Sequence, residues 1–333
     1  MKNTNRLSAN FLIAQAGMSI LELMAALGLL LLVSGTIMGA MLGMMKNQAQ
    51  VQNRTEMHSS VRGATELIEQ EITQAGRVVL PGTATLTTAT VANAGSAVVS
   101  SVAGMFVSEQ LTFDSGPNQD TVQVSAINVS TKTLTLATGS AFFHAHSAGV
   151  AVVPLGGFSG GVVPPSTTNG SDGTHLKLFG DINGDGNMVY IEYTCDYQAN
   201  KLYRNVMLTT AVNKLTPDAS MVILDSVYQN PNDVNNNPVP CFNYQVASNI
   251  NGNDYVLDVA VTLTVYTQHA DAWTGSTNSQ STKETKALLN VAPRNVFETW
   301  LQASAGITDR VQPIPANVTC LLNATSSSSC TAQ

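Results

Sequence analysis

The sequence predicts an α+β protein: one long N-terminal α-helix, transmembrane and then amphipathic, packed on a mostly antiparallel β head. Three observations carry this expectation. Leu23 to Met45 holds no charged side chain over 23 positions, enough to span a bilayer core of about 30 Å at about 1.5 Å per residue. Apolar residues then recur by threes and fours as far as residue 77 without a proline, the period of a helix with one buried face. From Val78 onward, short runs rich in Val, Thr, Leu and Tyr alternate with clusters of Gly, Asn, Asp, Ser and Pro, the pattern of strands and turns.

Composition narrows the function. The chain has 333 residues, 44% hydrophobic and only 11% charged, with a net charge of -7. That apolar fraction supports a packed core and argues against wholesale disorder. The acidic balance, with no basic stripe to neutralise phosphates, argues against direct nucleic-acid binding. Five His and four Cys leave few groups for catalysis. Neither a nucleophile-elbow nor a phosphate-loop nor a dinucleotide-binding context appears, so an enzyme is not expected and no cofactor is required.

The first 17 residues carry Lys2 and Arg6 and no acid. A secretory signal peptide has a shorter apolar core followed by its cleavage site. Here the small pair Ala16-Gly17 precedes the apolar run, so a cut there leaves the hydrophobic segment on the mature chain. Glu22 is the one charge that interrupts this segment, which runs over residues 18–45. Gly35, Gly39 and Gly43 repeat every four residues, with Gly28 upstream. This spacing lets helix backbones approach closely in an apolar medium.

The amphipathic half covers residues 46–77. Its expected apolar stripe is Val51, His58, Val61, Leu67, Ile68, Ile72 and Ala75, while Lys46, Arg54, Arg62 and Arg77 balance Glu56, Glu66, Glu69 and Glu71 on polar sides. Gly76 is the expected C-cap and Pro81 bars continuation.

The string Gly17-Met18-Ser19-Ile20-Leu21-Glu22, after a short basic leader and before an apolar helix, resembles the class III signal of type IV prepilins and pseudopilins. Residues 63–68 and 74–77 further resemble the helix end of PilW-type minor pilins. The resemblance implies a pilin-like lollipop, with prepilin peptidase cutting after Gly17 and methylating the new amino terminus on Met18. It implies a single-pass inner-membrane protein with a periplasmic head. That protein later joins other major and minor pilin subunits in an extracellular pilus through an inner-membrane assembly platform. Glu22, the fifth mature residue, is then an assembly contact to the Met18 amine of a neighbouring subunit. A J-type pseudopilin of a type II secretion system shares the leader and the helix. An adhesin or ligand-binding module presented on the stalk is the alternative from another class.

Strands are expected at 121–127, 133–137, 150–154, 176–179, 188–197, 201–206, 221–224 and 256–267, with a helix near 295–304. The β-rich segment 78–175 would be an insertion relative to a minimal pilin head. Residues 176–304 form the pilin-like part, where Tyr190-Ile-Glu-Tyr, Leu202-Tyr-Arg204 and Pro293-Arg294-Asn295 resemble strand signatures of such heads. Residues 305–333 form a tail with a disulfide loop.

Asp181, Asn183 and Asp185 alternate before Gly186, as in the first half of a calcium loop. Glu192 stands at the place of its final ligand, but an extended run after Met188 would carry it too far from the loop to close on an ion. The plain alternative is an Asn/Asp/Gly turn. All four Cys lie beyond the helix, where export across a membrane favours disulfides. Of three connectivities, Cys320–Cys330 with Cys195–Cys241 is favoured, and the first resembles the C-terminal disulfide loop of many pilins. His144 and His146 would share one strand face as a minimal zinc pair, but no third ligand is evident nearby, and structural or solvent-exposed histidines are the favoured reading. Asn128, Asn169, Asn317 and Asn323 begin N-x-S/T sequons.

Overall fold

The computed structural model describes residues 17–266, 283–324 and 330. The leader before Gly17 and most of the tail after residue 324 lie outside the described residues. Helix α1 (Ile20–Gln74) is followed by β strands and two short helices, α2 (Arg294–Ser304) and α3 (Ala316–Asn323). The chain divides into two compact units, residues 1–52 and 53–333.

In the first unit, α1 is apolar and exposed, with a window of mean hydropathy 2.2 none of which is buried. By length and composition it can cross a membrane. In the second unit, α1 buries Met57, Val61, Ala64, Thr65, Ile68, Glu71 and Ile72, spaced by threes and fours. The expected stripe is corrected here: Val51 is 64% exposed, His58 is exposed, and Met57, Ala64 and Glu71 take the inward positions. Periodicity alone leaves the phase of the face open by one residue. The neighbouring sheet decides it.

Three described features end α1 near Gln74. Gly76 adopts a left-handed conformation (φ +85), where a Cβ would lie 2.8 Å from Val296 Cγ2. Its N–H donates to Phe179 O at 2.9 Å. Asn295 Nδ2 donates to the carbonyls of Gln74 (3.0 Å) and Ala75 (3.3 Å), satisfying groups that a helix C-terminus leaves without partners.

The first sheet is a module with its own core. It contains β1 (Ala84–Thr85), β2 (Ser96–Val98), β3 (Gln110–Phe113), β4 (Asp120–Asn128), β5 (Thr133–Leu136) and β6 (Ala151–Pro154), in the order β1-β6-β3-β4-β5-β2. Leu86, Val99, Leu111, Phe113, Val122, Val124, Leu134, Phe142 and Val152 fill it. Phe113 and Phe142 meet edge to face at 4.9 Å, a favoured aromatic geometry.

The second sheet has the order β11-β10-β9-β8, from β8 (His175–Gly180), β9 (Val189–Asp196), β10 (Lys201–Leu208) and β11 (Val222–Asp225). Both its faces are covered. Ile191, Tyr193 and Cys195 share a cluster with Met57, Val61, Ile68 and Ile72 of α1. Tyr190, adjacent to Ile191 in sequence, packs on the other face with Val318, Leu321 and Leu322 of α3. Side chains alternate across a strand, so β9 is buried almost throughout because each side has a cover.

The third sheet pairs β14 (Asn253–Tyr266) with β12 (Val227–Tyr228), β13 (Phe242–Ile250) and β15 (Lys283–Val291), all antiparallel. One parallel pair, β7 (Gly157–Phe158) with β16 (Val311–Gln312), joins the chain after the module to the C-terminal part. The architecture is α+β and mostly antiparallel.

Module and head meet around two residues. Gln312, fully buried, accepts from Gln110 N at 2.9 Å and donates to Gln110 O and Leu155 O, each at 2.9 Å. Beside it, Glu109 is also fully buried; its Oε2 accepts from Phe106 N while Oε1 has no partner. Burial pushes the Glu109 carboxyl up to about 8, against the small opposing pull of the Phe106 hydrogen bond.

The folded pKa of Glu109 is therefore raised above its unfolded value of 4.5. The native chain holds an extra proton between these values, so stability is full below pH 4.5 and is lost as pH rises through about 8. Glu109→Gln should raise the melting temperature at about pH 9 and flatten the decline that the wild type shows between about pH 5 and pH 9. Equal slopes for both proteins would show that Glu109 is not buried in this way.

Candidate functional sites

Gly17, Met18 and Ser19 precede the helix, and Ser19 O accepts the first helical bond from Leu23 N at 3.1 Å. Met18 and Glu22 are exposed, and Glu22 lies in the first turn of α1. A carboxylate there is favourably placed against the helix N-terminus. A Cβ added at Gly28, Gly35, Gly39 or Gly43 would meet nothing within 4 Å. These glycines leave open backbone on an apolar helix.

The helix is fixed to the second sheet by a buried polar clamp. Glu71 is 5% exposed. Its Oε1 accepts from Arg204 Nε at 3.0 Å and from the second arm of the same guanidinium, while Tyr193 Oη donates to Oε2. Arg204 and Tyr193 face each other across β10 and β9. Burial opposes the charge on Arg204, but the hydrogen bonds and charge of Glu71 outweigh it and raise its pKa. Burial and the neighbouring carboxylate push the Tyr193 phenol well above its ordinary value. The sequence pattern had placed Glu71 on a polar face. The structure corrects this, because Arg204 and Tyr193 rise from the sheet at its position.

A second polar row crosses the opposite face of the same sheet. Lys177, Glu192 and Asn205 occupy one register across β8, β9 and β10. Glu192 accepts from Lys214 Nζ at 2.7 Å and from Tyr190 Oη at 2.6 Å. Burial would raise its pKa, but Lys214, Tyr190 and Lys177 outweigh that and hold it below the usual range. Glu192 is thereby committed inside the sheet and takes no part in the Asp181 loop.

That loop is stitched to the end of α1. Asp181 N donates to Arg77 O at 2.9 Å. Asp181 Oδ1 accepts from Asp185 N (3.1 Å) and Gly186 N (3.3 Å), and Asp185 Oδ1 accepts from Asn187 N (2.9 Å). Gly184 and Gly186 supply left-handed conformations at φ 70 and φ 86, which only glycine adopts freely. Asn183 lies in the same turn, at the rim of a cleft shared with Glu66, Glu69, Arg77 and Arg204. Asp181 Oδ2 is buried without a hydrogen-bond donor, and the Arg77 guanidinium stands 3.6 Å from it. An ion at Asp181 would have to displace that guanidinium. Among the described residues no group of three His, Cys, Asp or Glu is arranged to hold a metal.

Both disulfides join the pairs named above: Cys195 with Cys241, 46 residues apart, and Cys320 with Cys330, 10 residues apart. The first ties β9 to the residue before β13. The second ties α3 to Cys330, whose N–H donates to Val212 O. Each closes a loop of the unfolded chain and contributes about 2–4 kcal/mol. The helix α3 was not anticipated, since its eight residues are too few to show a period.

His144 and His146 lie on one side, but what they share is a carboxylate. His144 Nδ1 and His146 Nε2 each stand 2.9 Å from Asp120. Burial would raise the Asp120 carboxyl, but the hydrogen bonds from His144 and His146 outweigh it and hold it below the ordinary aspartate value. Asp120, Glu71 and Arg204 were not singled out as functional residues from sequence. The available signal was a charged residue inside an apolar strand or stripe in a chain poor in charge. No family model, curated protein or solved structure matches the chain.

Arg204→Leu should destabilise the protein by about 3–5 kcal/mol in denaturant unfolding, because it leaves Glu71 buried without its cation. The double variant Glu71→Leu/Arg204→Leu should recover part of that loss. Additive losses would mean the pair is not coupled.

A calcium titration separates the two readings of the Asp181 loop. With Arg77 in place, the wild-type melting temperature should agree within about 1 °C between millimolar calcium and chelator, whereas a ligand of the native state alone would raise it. Arg77→Gln should open a calcium-dependent rise. A wild-type rise that Asp185→Ala removes would instead put the ion in this loop.

Proposed function

We propose that this chain is a structural minor pilin of the PilW type. Prepilin peptidase cuts it after Gly17 and methylates Met18. It waits in the inner membrane with its head in the periplasm, then enters a type IV pilus with other major and minor pilin subunits through the assembly platform. The supporting observation is the run of one helix from an exposed, charge-free segment into a stripe buried on a β sheet, directly after Gly17-Met18 and Glu22. Its mechanism is assembly. The apolar half with open glycine backbone packs against equivalent helices, and the clamped head presents the outer surface.

The adhesin reading has its own support in the six-stranded module, which carries a separate core and is not needed to cover α1. The J-type pseudopilin reading rests on the same leader and helix. Calcium is not required by any of these readings; the orphaned Asp181 Oδ2 is the observation in its favour and Arg77 the observation against it.

Two variants test the assembly reading. Gly17→Glu should leave the leader attached, read as an intact N-terminus on the membrane-extracted protein. Glu22→Ala should be exported and cleaved normally yet be depleted from sheared filaments. A membrane carboxylate costs a few kcal/mol and is kept for a partner, here the Met18 amine of a neighbouring subunit. Wild-type protein that begins at Met1, or Glu22→Ala present in filaments at wild-type level, overturns this reading.

A further inference from the structure

The polar row on the sheet of β8, β9 and β10 holds one group that packing does not explain. Asn205 is 3% exposed. Its Nδ2 donates to Leu215 O at 2.7 Å, but its Oδ1 is buried without a hydrogen-bond partner. A carbonyl oxygen left in that state is costly unless a donor reaches it. Opposite Asn205 in register on β9 stands Glu192, and side chains paired in this way have Cβ atoms about 5 Å apart.

A third group comes from the segment that follows β10. Leu215, whose carbonyl holds the Asn205 amide nitrogen, is preceded in the chain by Lys214. The Lys214 side chain is 15% exposed, and its Nζ stands 2.7 Å from Glu192 Oε2. An amine, a carboxylate and a primary amide therefore meet on one nearly dry patch, with the carboxylate touching the amine and facing the amide. Lys177, the other lysine of the row, lies across β9 from Asn205, on β8. Its Nζ donates to Asn169 O at 2.8 Å, so Lys214 is the amine placed for chemistry.

These three groups are the reactants and the catalyst of an internal amide cross-link. Away from water an ion pair loses much of its advantage over the neutral pair, so a proton can pass from Lys214 Nζ to Glu192. That transfer does two things at once. It frees the Nζ lone pair as a nucleophile. It also turns Glu192 into a hydrogen-bond donor, the one group that Asn205 Oδ1 lacks.

We propose that Lys214 and Asn205 become joined by an isopeptide bond, with Glu192 as the general acid and base. Nζ forms a bond to Asn205 Cγ while the carbonyl electrons move to Oδ1, where the Glu192 acid donates. The carbonyl re-forms as the Cγ–Nδ2 bond breaks. Nδ2 receives two protons from Nζ by way of Glu192 and departs as ammonium. Overall, a lysine ammonium and a primary amide become a secondary amide and an ammonium ion. Glu192 ends ionised, as it began, and no oxidant or reductant takes part. The product ties the segment after β10 covalently to that strand, on the face of the sheet opposite α1.

The test is a peptide map of the full chain extracted from membranes, then reduced and denatured. Trypsin cuts after lysine and arginine, so an open chain releases residues 205–214, between Arg204 and Leu215. The cross-linked chain should resist cutting after Lys214 and release residues 205–283 instead, lighter by one ammonia, with fragmentation placing the bond between Asn205 and Lys214. Glu192→Gln, which cannot relay the protons, should leave the chain open. Lys214→Arg keeps a cation on Glu192 but offers no amine; it should restore the full mass and the 205–214 peptide, and it decides the matter if Glu192→Gln does not fold. Wild-type protein that releases 205–214 at its unmodified mass overturns the cross-link. So does an ammonia deficit in which Lys214 is still cut, which marks a cyclic imide at Asn205, or a deficit that persists in Lys214→Arg.

Discussion

The buried carboxylate of Glu71 is the constraint on which the head depends. An ionised group taken out of water is costly unless every lone pair is met, and Glu71 is met by both arms of Arg204 and by the Tyr193 hydroxyl. Since those two residues sit opposite each other on β9 and β10, the helix can seat in one register and one rotation. Apolar contact alone would hold α1 on the sheet. The clamp decides where along the sheet it stops, and with it the position of Gly76, Arg77 and the Asp181 loop.

Charge is scarce in this chain, and several of the head's charged groups are gathered into buried or half-buried clusters. Glu71 with Arg204 fixes a helix to a strand, while Glu192 with Lys214 and Asp120 with two histidines each tie a connecting segment to a strand. Elsewhere amides do the joining, as at Gln312, which meets three backbone groups between module and head. A surface rich in hydroxyls and amides leaves few charges to compete with these internal pairs, so electrostatics here acts mainly on how neighbouring segments are positioned.

The first half of α1 obeys the opposite rule. It buries nothing, exposes leucine and methionine on all sides, and keeps glycines open to close approach. Such a surface is stable only in a bilayer or against other helices. One helix therefore serves two solvents: side chains chosen for lipid or a helix bundle come first, and a narrow stripe chosen for a sheet follows.

The sequence by itself determined what depends on local period and composition. The charge-free run, the continuation of the helix to Gly76, the β character of the head, strands such as Lys201–Leu208, and the helix near residue 295 were all legible, because helix and strand periods and turn residues act over a few neighbours. The Asp181 turn was visible as a loop for the same reason. Only the tertiary structure decided which face of residues 46–77 turns inward, since Glu71 looks like a surface acid until Arg204, 133 residues later, is placed beside it. It likewise gave His144 and His146 a shared partner in Asp120. It set Arg77 against Asp181, and it added α3, β3 and β13, which are too short or too polar to announce themselves. In each case the deciding partner is far along the chain, and a buried charge reveals its role only through the group that neutralises it.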